Sequence, residues 1–206
     1  MKVLLIDDHP MVNSGLASYL EETGRFTITG KAQSLAQAAE FMENSALNET
    51  DIPSLVVLDI LLGEENGLDF LPFLENFCKE KQISKPAVLV CSVLEEPFAI
   101  QTALKMGASG FMPKTGSKTE LLDVIDTILR GEIYISSEYS AKVMKSYGIY
   151  SKFTKRELEI YSLIKKNKTN KQIADELCLN IRTIENHVSN IYFKTGAANR
   201  SELMGM

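Results

Sequence analysis

Side chains that could bind a metal ion and a phosphoryl group stand at the ends of four short apolar runs. Asp7 and Asp8 follow the first run, Asp59 the third, Ser92 the fourth and Lys114 the fifth. Neighbouring carboxylates raise one another's pKa unless a cation neutralises them, and such hard oxygen ligands suit Mg²⁺. An ammonium and a hydroxyl group beside them could hold the oxygens of an incoming phosphoryl group. Taken singly, each residue is more often a helix cap or a solvated side chain, so the site depends on their coming together.

A sheet of parallel strands would bring these residues to one edge. The apolar runs are short and uninterrupted, as in strands buried on both faces, and stretches with apolar residues at three- and four-residue spacing separate them. The predicted strands are 3–6, 26–30, 55–58, 87–91 and 109–112, and the predicted helices are 11–20, 35–42, 68–77, 98–106 and 119–129. Five such units predict an α/β doubly wound, five-stranded parallel sheet whose ligand site lies at the carboxyl ends of the strands.

The C-terminal part predicts a second, small all-α domain. Residues 1–130 carry 10 basic and 19 acidic residues, whereas residues 131–206 carry 12 and 8, and this change of sign suggests different partners. Thr154 and Glu157 form a capping box before a first helix, Asn170 opens a second, and Gly196 ends a third. The short turn at 178–180 is typical of a helix-turn-helix. We therefore predict domains at 1–130 and 151–206, joined by a linker at 131–150.

Composition excludes several classes of protein. The 206 residues are 45% hydrophobic and 24% charged, which is ordinary for a globular chain. No apolar run approaches the ~18 residues of a membrane span, and the opening segment is not a signal peptide. Cys78, Cys91 and Cys178 are odd in number and far apart, which argues against a disulfide framework or a zinc site. We therefore expect a soluble, cytoplasmic protein.

The motifs at the strand ends resemble those of the receiver domain of bacterial two-component response regulators. The matching segments are 4–10 (LLIDDHP), 55–60 (LVVLDI) with Asn66-Gly67 after it, and 106–114 (MGASGFMPK). Segments 153–157, 169–174, 182–194 and 199–200 resemble a LuxR-type helix-turn-helix. Nearly the whole chain is thus similar to the response regulators that join the two domains, the NarL/FixJ subfamily, whose receiver has a flavodoxin-like sheet.

The resemblance implies a phosphoryl-acceptor site. Asp59 would accept a phosphoryl group from a phosphohistidine of a sensor histidine kinase. Asp7 and Asp8 would bind Mg²⁺ together with Asp59 and the backbone carbonyl of Leu61. The carboxylate of Asp59 would then be a nucleophile that attacks phosphorus while nearby cations neutralise charge.

The resemblance also implies a switch. Ser92 and Lys114 would contact the phosphoryl oxygens, and Phe111 would be the aromatic residue that turns inward when Ser92 shifts. Phosphorylation would favour a form of the receiver that dimerises or releases the helix-turn-helix, and thereby control DNA binding and transcription. The protein would then be a regulator and not an enzyme.

The predicted recognition helix has a buried and an exposed side. Glu185, Asn186 and Ser189 lie opposite its apolar stripe and would face the major groove of double-stranded DNA, where Glu can accept from cytosine and Asn can bind adenine. The residues predicted to contact phosphates are Lys171, Arg182, Thr183, Asn190 and Lys194. Because this domain is only mildly basic, two copies on a two-fold symmetric site would supply the affinity.

Some positions depart from the family pattern. Gly63 replaces a usual proline, so we expect a more mobile loop after the acceptor. Leu61 and Leu94 stand where polar side chains orient the hydrolytic water in some receivers, and this predicts slow autodephosphorylation. The last helix, after Arg200, has only five or six residues, so we expect weak dimerisation through the second domain.

Two other functions are compatible with the sequence. A magnesium-dependent phosphohydrolase also uses an aspartate nucleophile at a strand end, although Leu61 stands where such an enzyme has its second aspartate. A receiver that acts through protein partners, with a helix-turn-helix that does not bind DNA, is the other alternative. Turnover of phosphate esters would indicate the first alternative. Failure to shift genomic DNA fragments in a gel, with and without phosphorylation, would indicate the second.

Overall fold

A computed structural model describes residues 1–48, 51–93, 97–136, 139–140 and 153–205 of the chain. Contacts divide the chain into two compact units, residues 1–95 with 103–137 and residues 96–102 with 138–206. Most of the predicted linker at 131–150 lies outside the described residues, so its boundaries stay a prediction. None of the described helices is long and apolar enough to cross a membrane.

The N-terminal part of the chain alternates strands and helices. The strands are β1 (Lys2–Ile6), β2 (Thr27–Ala32), β3 (Leu55–Leu58), β4 (Leu61–Leu62), β5 (Glu65–Asn66), β6 (Ala87–Ser92), β7 (Gly110–Pro113) and β8 (Tyr134–Ile135). The helices are α1 (Pro10–Glu22), α2 (Leu35–Leu47), α3 (Phe70–Lys81), α4 (Pro97–Lys105) and α5 (Lys118–Leu129), and a 3-10 turn, Gly67–Asp69, precedes α3.

Six of these strands form one parallel sheet in the order β2-β1-β3-β6-β7-β8. The predicted doubly wound parallel fold is therefore confirmed, but the predicted number of strands was wrong. The sixth strand, β8, pairs with β7 through only two residues, which is too short to give a periodic pattern. The remaining strands, β4 and β5, form a small antiparallel hairpin.

The strand register sets the level at which the predicted site residues leave the sheet. All residues of β3 and the last four of β1 are buried, as expected of strands covered on both faces. Ile6 pairs with Leu58, which in turn pairs with Val90, so β1 and β3 end side by side. Asp7 and Asp59 are consequently the first residues beyond two adjacent strands.

Residues 153–205 of the C-terminal unit contain four helices around a core of their own. They are α6 (Lys155–Lys165), α7 (Asn170–Glu176), α8 (Ile181–Thr195) and α9 (Arg200–Gly205). The predicted capping box of Thr154 and Glu157 is present at α6, and a second one, Thr169 with Gln172, opens α7. Gly196 ends α8 at φ +76°, a conformation that favours glycine. Residues 177–180 form the short turn that connects α7 to α8, as in a helix-turn-helix.

Candidate acidic site and candidate nucleic-acid interface

Three carboxylates and an imidazole gather at the carboxyl ends of β1 and β3. One ligand atom from each of Asp7, Asp8, His9 and Asp59 lies within 4.8 Å of the others. Asp7 and Asp59 are buried, Asp8 is half-buried and His9 is exposed. The parallel register thus brings together the three acidic residues that the sequence predicted, and His9 is an addition.

Lys114 places a positive charge between two of these carboxylates. Its Nζ lies 2.5 Å from Asp7 Oδ2 and 2.7 Å from Asp59 Oδ2. Burial alone would lower the pKa of Lys114, but hydrogen bonds and charge attraction from Asp59 and Asp7 outweigh it and raise the pKa. The lysine therefore stays protonated and neutralises part of the acidic cluster.

The remaining carboxylate atoms suit a divalent cation. Asp8 Oδ1 is buried and accepts no hydrogen bond, although His9 Nδ1 lies 2.7 Å away. Three hard, anionic oxygen donors are the ligand set that Mg²⁺ prefers. Leu61, predicted to add its carbonyl oxygen, is held close because its N–H donates to Asp59 Oδ1 at 3.2 Å. Asp7, Asp8 and Asp59 can therefore hold Mg²⁺.

Ser92 and Phe111 lie on the strands beside the acidic site. Ser92 is the last residue of β6 and fully buried, and its carbonyl accepts a hydrogen bond from the backbone N–H of Lys114 at 3.0 Å. Phe111 is fully buried in β7, where it pairs with Val90. In this structure the aromatic side chain therefore points away from solvent.

Backbone groups around the site could not be identified from residue types. The N–H of Gly63 donates to Asp8 Oδ2 at 3.0 Å, and Asn13 Nδ2 donates to the carbonyl of Asp7 at 2.6 Å. Gly63 has φ +59°, which proline cannot adopt, and proline would also lack the N–H. Glu65 accepts from the N–H of Leu35, so two hydrogen bonds connect the β4–β5 hairpin to neighbouring segments, and the expected mobility of this loop stays a prediction.

The second predicted site lies on α8, the candidate recognition helix. Ile184, Val188 and Ile191 are buried in the core of the C-terminal unit. Of the predicted DNA-contacting residues, Lys171, Arg182, Glu185, Asn186, Ser189 and Asn190 are exposed and Thr183 is half-buried. The predicted base-reading residues Glu185, Asn186 and Ser189 are therefore exposed and polar, as hydrogen bonding to base edges requires.

Lys194 differs from the other predicted phosphate contacts. Its Nζ donates to both carboxylate oxygens of Glu157, at 2.8 and 2.6 Å, and the Glu157 side chain is only 2% exposed. Burial would raise the pKa of Glu157, but hydrogen bonds from Lys194 and from Thr154 lower it overall. The ammonium group thus connects α8 to the start of α6, and a contact of Lys194 with a DNA phosphate stays a prediction.

The stability of the short last helix comes from its contacts with the core and not from its own length. Leu203 is fully buried, and the hydroxyl of Tyr161 donates to its carbonyl at 3.2 Å. Lys165 Nζ donates to the carbonyl of Met204 at 2.6 Å. A helix that is marginal alone is therefore stabilised by contacts with α6.

Two family matches cover most of the chain. Residues 3–126 match the family described as response regulator receiver domain, and residues 151–206 match bacterial regulatory proteins, luxR family. The chain is 30% identical to the transcriptional regulatory protein LiaR of Bacillus subtilis, over 98% of this chain and 94% of LiaR. It is 29% identical to the response regulator protein VraR of Staphylococcus aureus, over 98% and 93% of the two chains.

Solved structures share the fold at lower identity. The structure of RcsB from Salmonella enterica serovar Typhimurium, bound to promoter rprA in the presence of the phosphomimetic BeF3⁻, has a TM-score of 0.70 and 18% identity. That match covers 100% of this chain and 96% of RcsB. A response regulator ChrA of a heme-sensing two-component system has a TM-score of 0.53 and 26% identity, over 98% and 94% of the two chains.

Proposed function

The chain belongs to the two-component response regulators that carry a receiver domain and a LuxR-type DNA-binding domain, and from this we propose that phosphorylation of Asp59 controls its DNA binding. The main support is the environment of Asp59. The buried carboxylate of Asp59 lies at the end of β3 beside Asp7 and Asp8, with its two oxygens held by Lys114 and by the N–H of Leu61.

Asp59 acts as a nucleophile in the proposed transfer. One of its carboxylate oxygens forms a bond to phosphorus while the bond from phosphorus to the imidazole nitrogen of a kinase phosphohistidine breaks. The ammonium of Lys114 moves from the carboxylate to a phosphoryl oxygen, and the hydroxyl of Ser92 donates to another. Asp7, Asp8, Asp59 and the carbonyl of Leu61 would hold Mg²⁺, which supplies charge neutralisation when bound.

The proposed regulation involves a kinase, a DNA site and a second copy of the chain. A sensor histidine kinase is the donor, and double-stranded DNA is bound by the exposed side of α8, with the protein acting in the cytoplasm. Phosphorylation favours dimerisation, and Phe111 is in its inward position in the phosphorylated form. Two copies then place two recognition helices on one site, which multiplies the modest affinity of a single mildly basic unit.

Intact mass spectrometry tests the acceptor. After incubation of the full chain with acetyl phosphate and Mg²⁺, we expect a single gain of ~80 Da, the mass of one phosphoryl group. With EDTA in place of Mg²⁺ the gain should disappear, because the carboxylate repulsion is then not neutralised. A gel shift on genomic fragments should show tighter binding by the phosphorylated form. No gain in mass under any condition would contradict the proposal.

The aspartyl phosphate is expected to persist. The side chain of Leu61 cannot hold a water molecule by hydrogen bonding, so hydrolysis lacks a group that orients the attacking water. After removal of acetyl phosphate, the ~80 Da gain should therefore decay over many minutes or longer and not within seconds. Leu61→Asn should shorten the decay, and Leu47→Asn, on the exposed end of α2, should leave it unchanged. A half-life of seconds for the unaltered chain would contradict this expectation.

A further inference from the structure

A phenylalanine lies fully in solvent on the recognition helix. The Phe193 side chain is 89% exposed, and among the described large hydrophobic residues only Met11 is equally exposed. It is the thirteenth of the fifteen residues of α8. Single exposed apolar residues are common on protein surfaces. The position of Phe193 on α8 is therefore more informative than its exposure alone.

Helical geometry puts Phe193 on the candidate DNA-reading side. It follows Asn186 by seven residues, which is two turns, and Ser189 and Asn190 lie on the same side between them. Ile184, Val188 and Ile191, which are buried, occupy the opposite side of α8. Phe193 is therefore the last member of a line of exposed residues that faces away from the core.

The chemistry of this line indicates what Phe193 can bind. A phenyl ring offers no hydrogen-bond donor to a phosphate or to a base edge. The apolar group that the major groove presents is the C5-methyl group of thymine, and phenylalanine can contact it. Among the described residues of α8, the exposed neighbours Asn186, Ser189 and Asn190 on the same side are polar, which favours a DNA contact over an apolar protein interface.

We propose that Phe193 is a specificity-determining residue that contacts a thymine methyl group at the edge of each half-site. This rests on the proposed function, namely DNA binding by α8. Seven residues of helix advance about 10 Å, so the thymine should lie about three base pairs from the base contacted by Asn186.

Deoxyuridine, which lacks only the C5-methyl group, tests the contact. Duplexes bound by the full chain, phosphorylated with acetyl phosphate and Mg²⁺, are first selected from random-sequence DNA. Each thymine of the selected site is then replaced singly by deoxyuridine. One replacement per half-site should weaken binding by the unaltered chain about three- to tenfold. For Phe193→Ala, binding to the thymine duplex should fall by a similar factor, and the same replacement should then have no further effect.

Two controls separate this contact from general effects. Phe193→Leu keeps an apolar side chain and should retain part of the sensitivity to deoxyuridine. Leu47→Ala removes an apolar side chain that is 72% exposed at the end of α2 and should leave every affinity unchanged.

The outcomes are distinct. If no sequence is enriched, the proposed DNA reading fails and this inference with it. Enrichment of a site at which no deoxyuridine replacement weakens binding would overturn only the role of Phe193. The same holds if one replacement weakens binding by the unaltered chain and by Phe193→Ala equally. Enrichment of the same site with the same affinity by Phe193→Ala would also overturn it.

Discussion

Asp59→Asn is expected to abolish the gain of the phosphoryl group completely while the receiver stays folded. An amide oxygen is not nucleophilic enough to displace the imidazole of a phosphohistidine or the leaving group of acetyl phosphate. The expected result is no gain in mass in the presence of acetyl phosphate and Mg²⁺, and the same weak DNA binding with and without the phosphoryl donor.

The contacts of Asp59 explain why the fold should survive. Asn Oδ1 can still accept the hydrogen bond that Leu61 N–H gives to Asp59 Oδ1 at 3.2 Å. Its amide nitrogen would face the ammonium of Lys114, but Lys114 keeps Asp7 Oδ2 as a partner at 2.5 Å. Losing one of three neighbouring carboxylates also relieves their repulsion. The Tm in EDTA should therefore not fall.

Mg²⁺ gives a second readout for the same variant. A ligand that binds only the folded state raises the Tm, by an amount that depends on its affinity. Because Asp59→Asn removes one of the three carboxylates, Mg²⁺ should raise the Tm of the variant less than that of the unaltered chain. Asp123→Asn, an exposed aspartate of α5, is the matched control and should preserve both the mass gain and the Mg²⁺ effect. A phosphoryl group on Asp59→Asn would place the acceptor elsewhere.

The positions of the acidic residues could be predicted from sequence because the strands are simple. The apolar runs before Asp7 and Asp59 are continuous, so their ends are visible, and adjacent parallel strands that end together must bring the following residues together. The strand β8 has two residues, Tyr134 and Ile135, and carries no such pattern. Its pairing with β7 depends on tertiary contacts that the local sequence does not encode.

Backbone conformation and distant pairing account for the rest. Residue types predicted that Gly63 departs from the family, but not that its N–H would be directed at Asp8 Oδ2, because that depends on φ. Lys194 fits a phosphate contact by its place on the recognition helix. Its partner Glu157 is 37 residues away, and the sequence pattern assigned that glutamate to the capping box only. Sequence patterns thus located single helices and strands better than the pairing between them.

Glu157→Gln is expected to destabilise the C-terminal unit by about 2 kcal/mol. Glutamine can still close the capping box, so the change removes the negative charge and little else. Breaking a fully buried ion pair costs about 3–5 kcal/mol, and the cost here should be lower because the Lys194 side chain is 26% exposed and can regain some water. For a unit of this size, with a total stability of about 3–8 kcal/mol, such a loss is large.

The loss should depend on pH with a definite sign. The pKa of Glu157 is lowered in the folded state, so the stabilisation is fully present above its unfolded pKa of about 4.3 and disappears as the pH falls through the lower folded value. The difference in unfolding free energy between the unaltered chain and Glu157→Gln should therefore be constant near neutral pH and shrink in acid. Amide hydrogen exchange in α6 and α8 of the full chain measures it.

Glu176→Gln provides the matched control, because Glu176 forms an ion pair with Lys168 in which both side chains are more than one-third exposed. Such pairs contribute about 0–1 kcal/mol, so this variant should change exchange little.

Equal and small effects of the two variants would mean that water solvates Lys194 as readily as it does Lys168. The ammonium of Lys194 would then be free to meet a DNA phosphate, and Lys194→Met should weaken binding to all duplexes alike and reduce its salt dependence. A large effect confined to Glu157→Gln assigns the charge of Lys194 to the stability of the domain, so that Lys171 and Arg182 are left as its cationic phosphate contacts.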